Sequence, residues 1–101
     1  KEKNKEITID MVLKEVSAHF GVSLSDMRST KRIRSIILPR QIAMYLARKM
    51  TDSSLVSIGE KFGGKDHATV LHSIRKIESE LNVKKELKST VEKIAQKLKS
   101  T

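Results

Sequence analysis

The run Gly63-Gly64-Lys65-Asp66-His67-Ala68-Thr69 sets an acid, an imidazole and a hydroxyl within four residues, directly after a pair of glycines. Acid–base or metal chemistry would need partners at matching spacing. His67 and His72 are five residues apart, off the four-residue step that puts two ligands on one helix face, and His19 belongs to another segment. A phosphate loop of the GxxxxGK[ST] kind is also excluded, because Asp66 follows Gly64 and Lys65 where the motif needs a hydroxyl. No enzyme constellation is left. What fits is recognition by a helix N-terminus, as in a helix-turn-helix whose second helix puts its first residues into the major groove of DNA.

The flanking pattern supplies the two helices. Leu55, Ile58, Gly59 and Phe62 fall at i, i+3, i+4 and i+7, so a helix of about two turns buries that face. Gly63 and Gly64 then stop it, one as the residue with positive φ and the other letting the next helix pack close. Asp66 is the expected N-cap, accepting from the backbone N–H of Ala68 or Thr69, and the second helix starts at His67. Its inward residues are Val70, Leu71, Ile74 and Ile77, leaving His67, Ala68, Thr69, His72 and Lys76 to face outward. Plainer roles stand beside these. Two helices joined by a glycine turn occur in many small α-helical domains; Asp66 could serve as a cap alone, and His67 as a partly buried capping residue. His72 reads as a solvated or packing residue and Tyr45 as core, its hydroxyl reaching the surface.

Charge placement sharpens the choice. The 101 residues carry a net +9, and residues 27–51 alone hold Arg28, Lys31, Arg32, Arg34, Arg40, Arg48 and Lys49 with no acid. Seven like charges in one segment repel one another unless a polyanion neutralises them. Five of the seven are Arg, which contacts phosphate bidentately and inserts into minor grooves. Phe20, Tyr45 and Phe62 are the only aromatic residues, too few for recognition of single strands by stacking. The length suits one domain with one core. Absence of cysteine excludes disulfides and thiolate metal sites and fits a reducing cytoplasm. No apolar run of membrane-spanning length occurs, and nothing resembles a signal peptide.

The remaining elements are all helical. Thr8 precedes Ile9, Val12, Leu13, Val16 and Phe20, with Gly21 closing that helix. Ser23 and Asp26 form an S-x-x-D box for a short second helix with Leu24 and Met27. Residues 30–34 read as a basic loop. Ser35 is the expected cap of a third helix running to about Met50, with Pro39 in or near its first turn and Ile42, Ala43, Leu46, Ala47 and Met50 facing the core. After a break near Asn82, Leu87, Val91, Ile94 and Leu98 define a last amphipathic helix. Residues 1–6 read as a linker and residues 7–101 as the domain. A chain opening at Lys1 without an initiator Met is read as a piece of a longer protein.

The segments LPRQIAMYLARKMTDSSL, Leu38 to Leu55, and IGEKFGGKDHATVLHSIRKIE, Ile58 to Glu78, carry a specific resemblance. They resemble the C-terminal DNA-binding domain family of the bacterial replication initiator DnaA, over roughly Ile7 to Leu81 and the last helix besides. The resemblance implies an all-α domain with a helix-turn-helix of Trp-repressor type that binds asymmetric DnaA boxes of the replication origin as a monomer. It places the protein in the cytoplasm, on the nucleoid. It puts Arg32 in the minor groove and Asp66, His67 and Thr69 at bases of the major groove, where an Asp can accept from cytosine N4 and a Thr methyl can meet a thymine methyl. Ala68 stands where the family has Thr or Ser, losing a hydroxyl, and Val56 where it commonly has Pro; both belong to the expected major-groove face. Arg40 and Gln41 match phosphate contacts at a helix N-terminus, and Lys31, Arg34, Lys61 and Lys65 are further candidates for phosphate. No cofactor is expected in the domain, ATP belonging to an upstream domain of the parent. Two rivals remain: a dimeric transcription regulator of Trp-repressor type, with the Leu87-Val91-Ile94-Leu98 stripe as its seam, and a docking module for acidic phospholipid or protein, since basic amphipathic helices also bind anionic membranes.

Overall fold

Thr8 opens the first helix, its side chain accepting from the Met11 N–H at 3.2 Å. The resulting α1, Ile9–Phe20, buries Ile9, Val12, Leu13 and Val16 along one stripe and stops at Gly21, which has φ 67. The structure, a computed structural model, describes residues 6–100; the expected linker lies outside the described residues except for Glu6. Ser23 caps the single turn α2, Leu24–Met27, through the Asp26 N–H, and Met27 is wholly buried.

The long α3, Arg34–Met50, departs from expectation at its start. Ile33, not Ser35, is the boundary residue, and it makes no side-chain cap. Its carbonyl accepts from both Ile36 and Ile37, at 2.8 and 2.9 Å. Burial explains the early start, since Ile36 and Pro39 both pack inward and draw the first turns onto the core. Pro39 consequently lies in the second turn. The intrahelical bond it cannot donate leaves the Ser35 carbonyl without a helical partner, at an exposed residue where water can serve.

Three more helices complete the chain: α4, Leu55–Lys61, capped by Ser54; α5, His67–Leu81, capped by Asp66; and α6, Lys85–Ser100. Among the described residues there is no strand. Helix α3 is the hub, packing against α1, α4 and α5, while α6 closes over α1 and α5. One cluster runs from Val12 and Leu13 through Ile42, Met44 and Leu46 to Ile58, Phe62, Val70 and Ile77. Each such side chain contributes about 1.5–3 kcal/mol on burial, and this packing holds helices that would be marginal alone. The Leu87, Val91, Ile94 and Leu98 stripe lies inside the same cluster. The seam offered for a dimer is therefore occupied by the chain's own α1 and α5.

The turn between α4 and α5 is tighter than the glycine pair alone implies. Gly63 and Gly64 both have positive φ, 86 and 85. The close packing of the next helix expected of one of them falls on Gly59, where an added Cβ would lie 2.0 Å from the Lys65 carbonyl oxygen, while Gly63 makes its own close approach to the end of α2. The Gly59 carbonyl in turn accepts from Gly64 and Lys65, at 3.0 and 2.9 Å.

Candidate nucleic-acid interface

Helix α5 begins at the surface. The Asp66 Oδ1 accepts from the Thr69 N–H at 2.8 Å, the second of the two expected caps. That backbone bond, supported by the Thr69 hydroxyl, holds the carboxyl below its ordinary range, so Asp66 is a committed anion at the positive end of the helix. His67, Ala68 and Thr69 are all exposed, and the partly buried role for His67 is excluded. Val56, at the start of α4, is 58% exposed. His72 is exposed on the outer face, and Tyr45 is in the core as expected.

The second exposed element is the loop between α2 and α3. Arg32, Ile33 and Arg34 all face solvent, with Arg34 forming the first residue of α3 and hence its cationic N-terminus. Lys31 is exposed but pairs with Asp26 at 2.9 Å. Arg32, Arg34 and Gln41 line one open groove with Leu38, Lys76 and Lys84.

Four of the expected phosphate contacts, Arg40, Gln41, Lys65 and Lys61, lie in different settings. Arg40 is only 8% exposed, and its guanidinium points into the α2–α3 junction. Desolvation lowers its pKa, and the nearby Arg32 charge acts in the same direction, with Asp26 opposing. Arg40 and Gln41 are also not at a helix end, because α3 begins six residues before Arg40; the anion affinity of a helix N-terminus does not reach them. Lys65 turns inward as well, donating to the Phe62 carbonyl at 2.7 Å and the Arg28 carbonyl at 3.2 Å. Burial lowers its pKa, and Arg40 adds to this. Lys61 forms an exposed ion pair with Asp10 at 3.2 Å, a contact that solvent and salt screen and that a phosphate could replace.

Arg28, counted in the sequence only as part of the basic segment, has a structural role there. Its Nε donates to the Lys61 carbonyl at 3.1 Å, its own carbonyl receives Lys65, and a Cβ on Gly63 would fall 2.0 Å from that same carbonyl. The root of the basic loop is thus interlocked with the turn that aims α5. The signal in sequence was weak, since Arg28 and Lys61 are 33 residues apart.

A compact helical domain with a tight glycine turn, an exposed N-terminal helix end and a basic loop beside it is a helix-turn-helix domain. Residues 9–77 match the family described as bacterial dnaA protein helix-turn-helix, and the chain belongs to that family. It is 46% identical over 98% of its length to the chromosomal replication initiator protein DnaA of Geotalea daltonii, of which it spans 22%. The DnaA protein of Limosilactobacillus reuteri (strain DSM 20016) is 48% identical over 94% of this chain and 22% of its own. A crystal structure of a DNA replication initiation factor superposes with a TM-score of 0.82 at 34% identity, over 91% of this chain and 28% of the other. The chain spans about a fifth of the length of these curated relatives.

Proposed function

We propose that the domain reads double-stranded DNA at DnaA-box-like sites of a replication origin, with the first turn of α5 in the major groove and Arg32 in the adjacent minor groove. The observation that carries this reading is the pairing of two solvent-facing elements, the His67-Ala68-Thr69 turn and the Arg32 loop, joined through the Arg28 interlock. Asp66 caps with one oxygen and keeps a second for a cytosine amino group. Thr69 and Ala68 supply methyl groups for thymine, and Val56 extends the apolar part of that surface. Arg34, Lys31, Lys61 and Gln41 surround the path of the phosphates. Binding as a monomer suits an asymmetric site. The ATPase of the parent protein would lie in an upstream domain, and acidic phospholipid would be a secondary partner of the same basic surface.

Fluorescence anisotropy with a duplex carrying one DnaA box, against a scrambled duplex of equal length at two salt concentrations, tests the proposal. A preference of about 10³-fold that survives the higher salt supports it. Equal binding that collapses with salt refutes sequence readout and leaves a basic surface, to be assayed next on anionic vesicles.

A further inference from the structure

Arg40 lies on α3, yet its guanidinium reaches back across the preceding loop. Nε donates to the Met27 carbonyl at 3.3 Å, Nη1 to the Lys31 carbonyl at 3.0 Å, and Nη2 to the Asp26 carbonyl at 3.0 Å and to Ser29 Oγ at 3.2 Å. These acceptors run from the end of α2 into the basic loop. The Lys31 carbonyl belongs to the planar peptide unit that leads into Arg32, so Nη1 fixes the plane from which the Arg32 side chain departs. Ser29 is tied in further, donating to the Asp26 carbonyl at 2.8 Å and accepting from the Lys31 N–H at 3.2 Å. On the other side, the Arg28 carbonyl accepts from Lys65 Nζ at 3.2 Å in the α4–α5 turn, and its Nε donates to the Lys61 carbonyl at the end of α4. A set of hydrogen bonds therefore runs from the peptide before Arg32 to the turn that precedes α5.

We propose that Arg40 is a positioning residue for DNA selectivity: its guanidinium fixes the peptide that presents Arg32, and so sets the separation between the minor-groove arm and the recognition helix, in place of a phosphate contact. The assignment rests on the two-groove reading and adds the group that enforces its geometry. Lysine at this position keeps the charge but offers one ammonium where the fork reaches four acceptors in different directions. Charge and positioning can therefore be separated.

The experiment titrates the wild-type protein, Arg40→Lys, Arg32→Ala and the double variant against two duplexes by anisotropy, at three salt concentrations. One duplex carries a DnaA box, and in the other the A·T-rich end of the box is replaced by G·C pairs. Arg40→Lys is expected to lose about tenfold on the intact box, to bind the altered duplex as the wild type does, and to keep the wild-type salt slope. In the Arg32→Ala background it should have no further effect on either duplex. An equal loss on both duplexes, a salt slope flatter by about 0.9, or an undiminished effect in the Arg32→Ala background overturns the assignment. If Arg32→Ala itself matches the wild type on both duplexes, the two-groove reading falls and the assignment with it. Thermal melts monitor folding of each variant. Should Arg40→Lys not fold, Ser29→Ala removes one acceptor of the fork and the Lys31 N–H partner, and the same pattern is expected with a smaller loss; loss on both duplexes alike again overturns the assignment.

Discussion

Gly63 and Gly64 provide an internally controlled test of the interlock between the basic loop and the helix-turn-helix. Their φ angles are 86 and 85, so replacing either by alanine imposes the same backbone strain, about 1–2 kcal/mol. Reduced freedom of the unfolded chain offsets about 0.4–1 kcal/mol of it in both cases. The surroundings differ. A Cβ at Gly64 meets nothing within 4 Å, whereas one at Gly63 would lie 2.0 Å from the Arg28 carbonyl oxygen and 3.0 Å from its carbon. Since those atoms are backbone, relief requires moving the end of α2 away from the turn, an overpacking cost of about 1–3 kcal/mol. Gly64→Ala should therefore lose about 1 kcal/mol, and Gly63→Ala about 2–4 kcal/mol. In a domain of this size each kcal/mol shifts Tm by about 4–8 °C, so the two melts should separate by about 4–24 °C. Circular dichroism at 222 nm during heating, with urea titration to confirm unchanged m-values, measures this directly. Equal losses for the two variants would refute the close approach of the loop root to the turn.

Arg32→Ala should weaken binding to a DnaA box by about 1–3 kcal/mol and relax selectivity at its A·T end; anisotropy on intact and altered boxes measures both, and equal losses would exclude a minor-groove role. Asp66 has a folded-state pKa below its unfolded one, so its contribution is present above the ordinary carboxylate range and fades as pH falls through the lower folded value. Melting temperatures from about pH 5 down to pH 2 should fall less steeply in Asp66→Asn, whose amide oxygen still caps but does not titrate; an unchanged slope would show that the cap carries no linked proton. Leu98→Ala, at a residue 2% exposed, should lose about 2–4 kcal/mol with a Tm that does not depend on protein concentration. A Tm that rises with concentration would revive the dimer seam.

Local signals made much of the fold legible. Thr8, Ser23 and Asp66, and also Ser54, which is not among the caps expected from sequence, each cap a helix by accepting from the N–H three residues on, a bond that needs only adjacent sequence. The apolar stripes of α1, α5 and α6 follow the helical period, and most of each is buried where the period puts it. In α5 the expected inward Leu71 is only partly buried and lies outside the core cluster, while Ser73 is buried in the same helix. The start of α3 was not legible, because no side chain marks it and the burial of Ile36 and Pro39 decides it. Gly59 was read as part of an inward face, but the need for a missing Cβ there comes from how the chain folds back to Lys65. For Arg40 a signal existed. Ile36, Arg40, Ala43, Met44 and Ala47 share one helical stripe, and every one of them is buried. Charge outweighed position in reading that residue.

The basic segment consequently does two kinds of work, and net charge does not distinguish them. Arg28 and Arg40 donate to backbone carbonyls at the ends of α2 and α4 and in the loop after α2, and Arg48 donates to the Ser53 carbonyl at 2.8 Å. Such bonds to charged donors are stronger than neutral ones, and carbonyls at helix ends need partners in any case. A lysine-rich segment of equal charge would produce a similar long-range field but could not grip several diverging carbonyls from one side chain. This accounts for arginine at positions 28, 40 and 48, while Arg32 and Arg34 face solvent. The charge of Arg40 still draws a polyanion from a distance, while its donors hold the loop whose Arg32 meets solvent. Attraction and shape come from the same residues, which makes a duplex approaching this face meet a loop already set at its angle to α5.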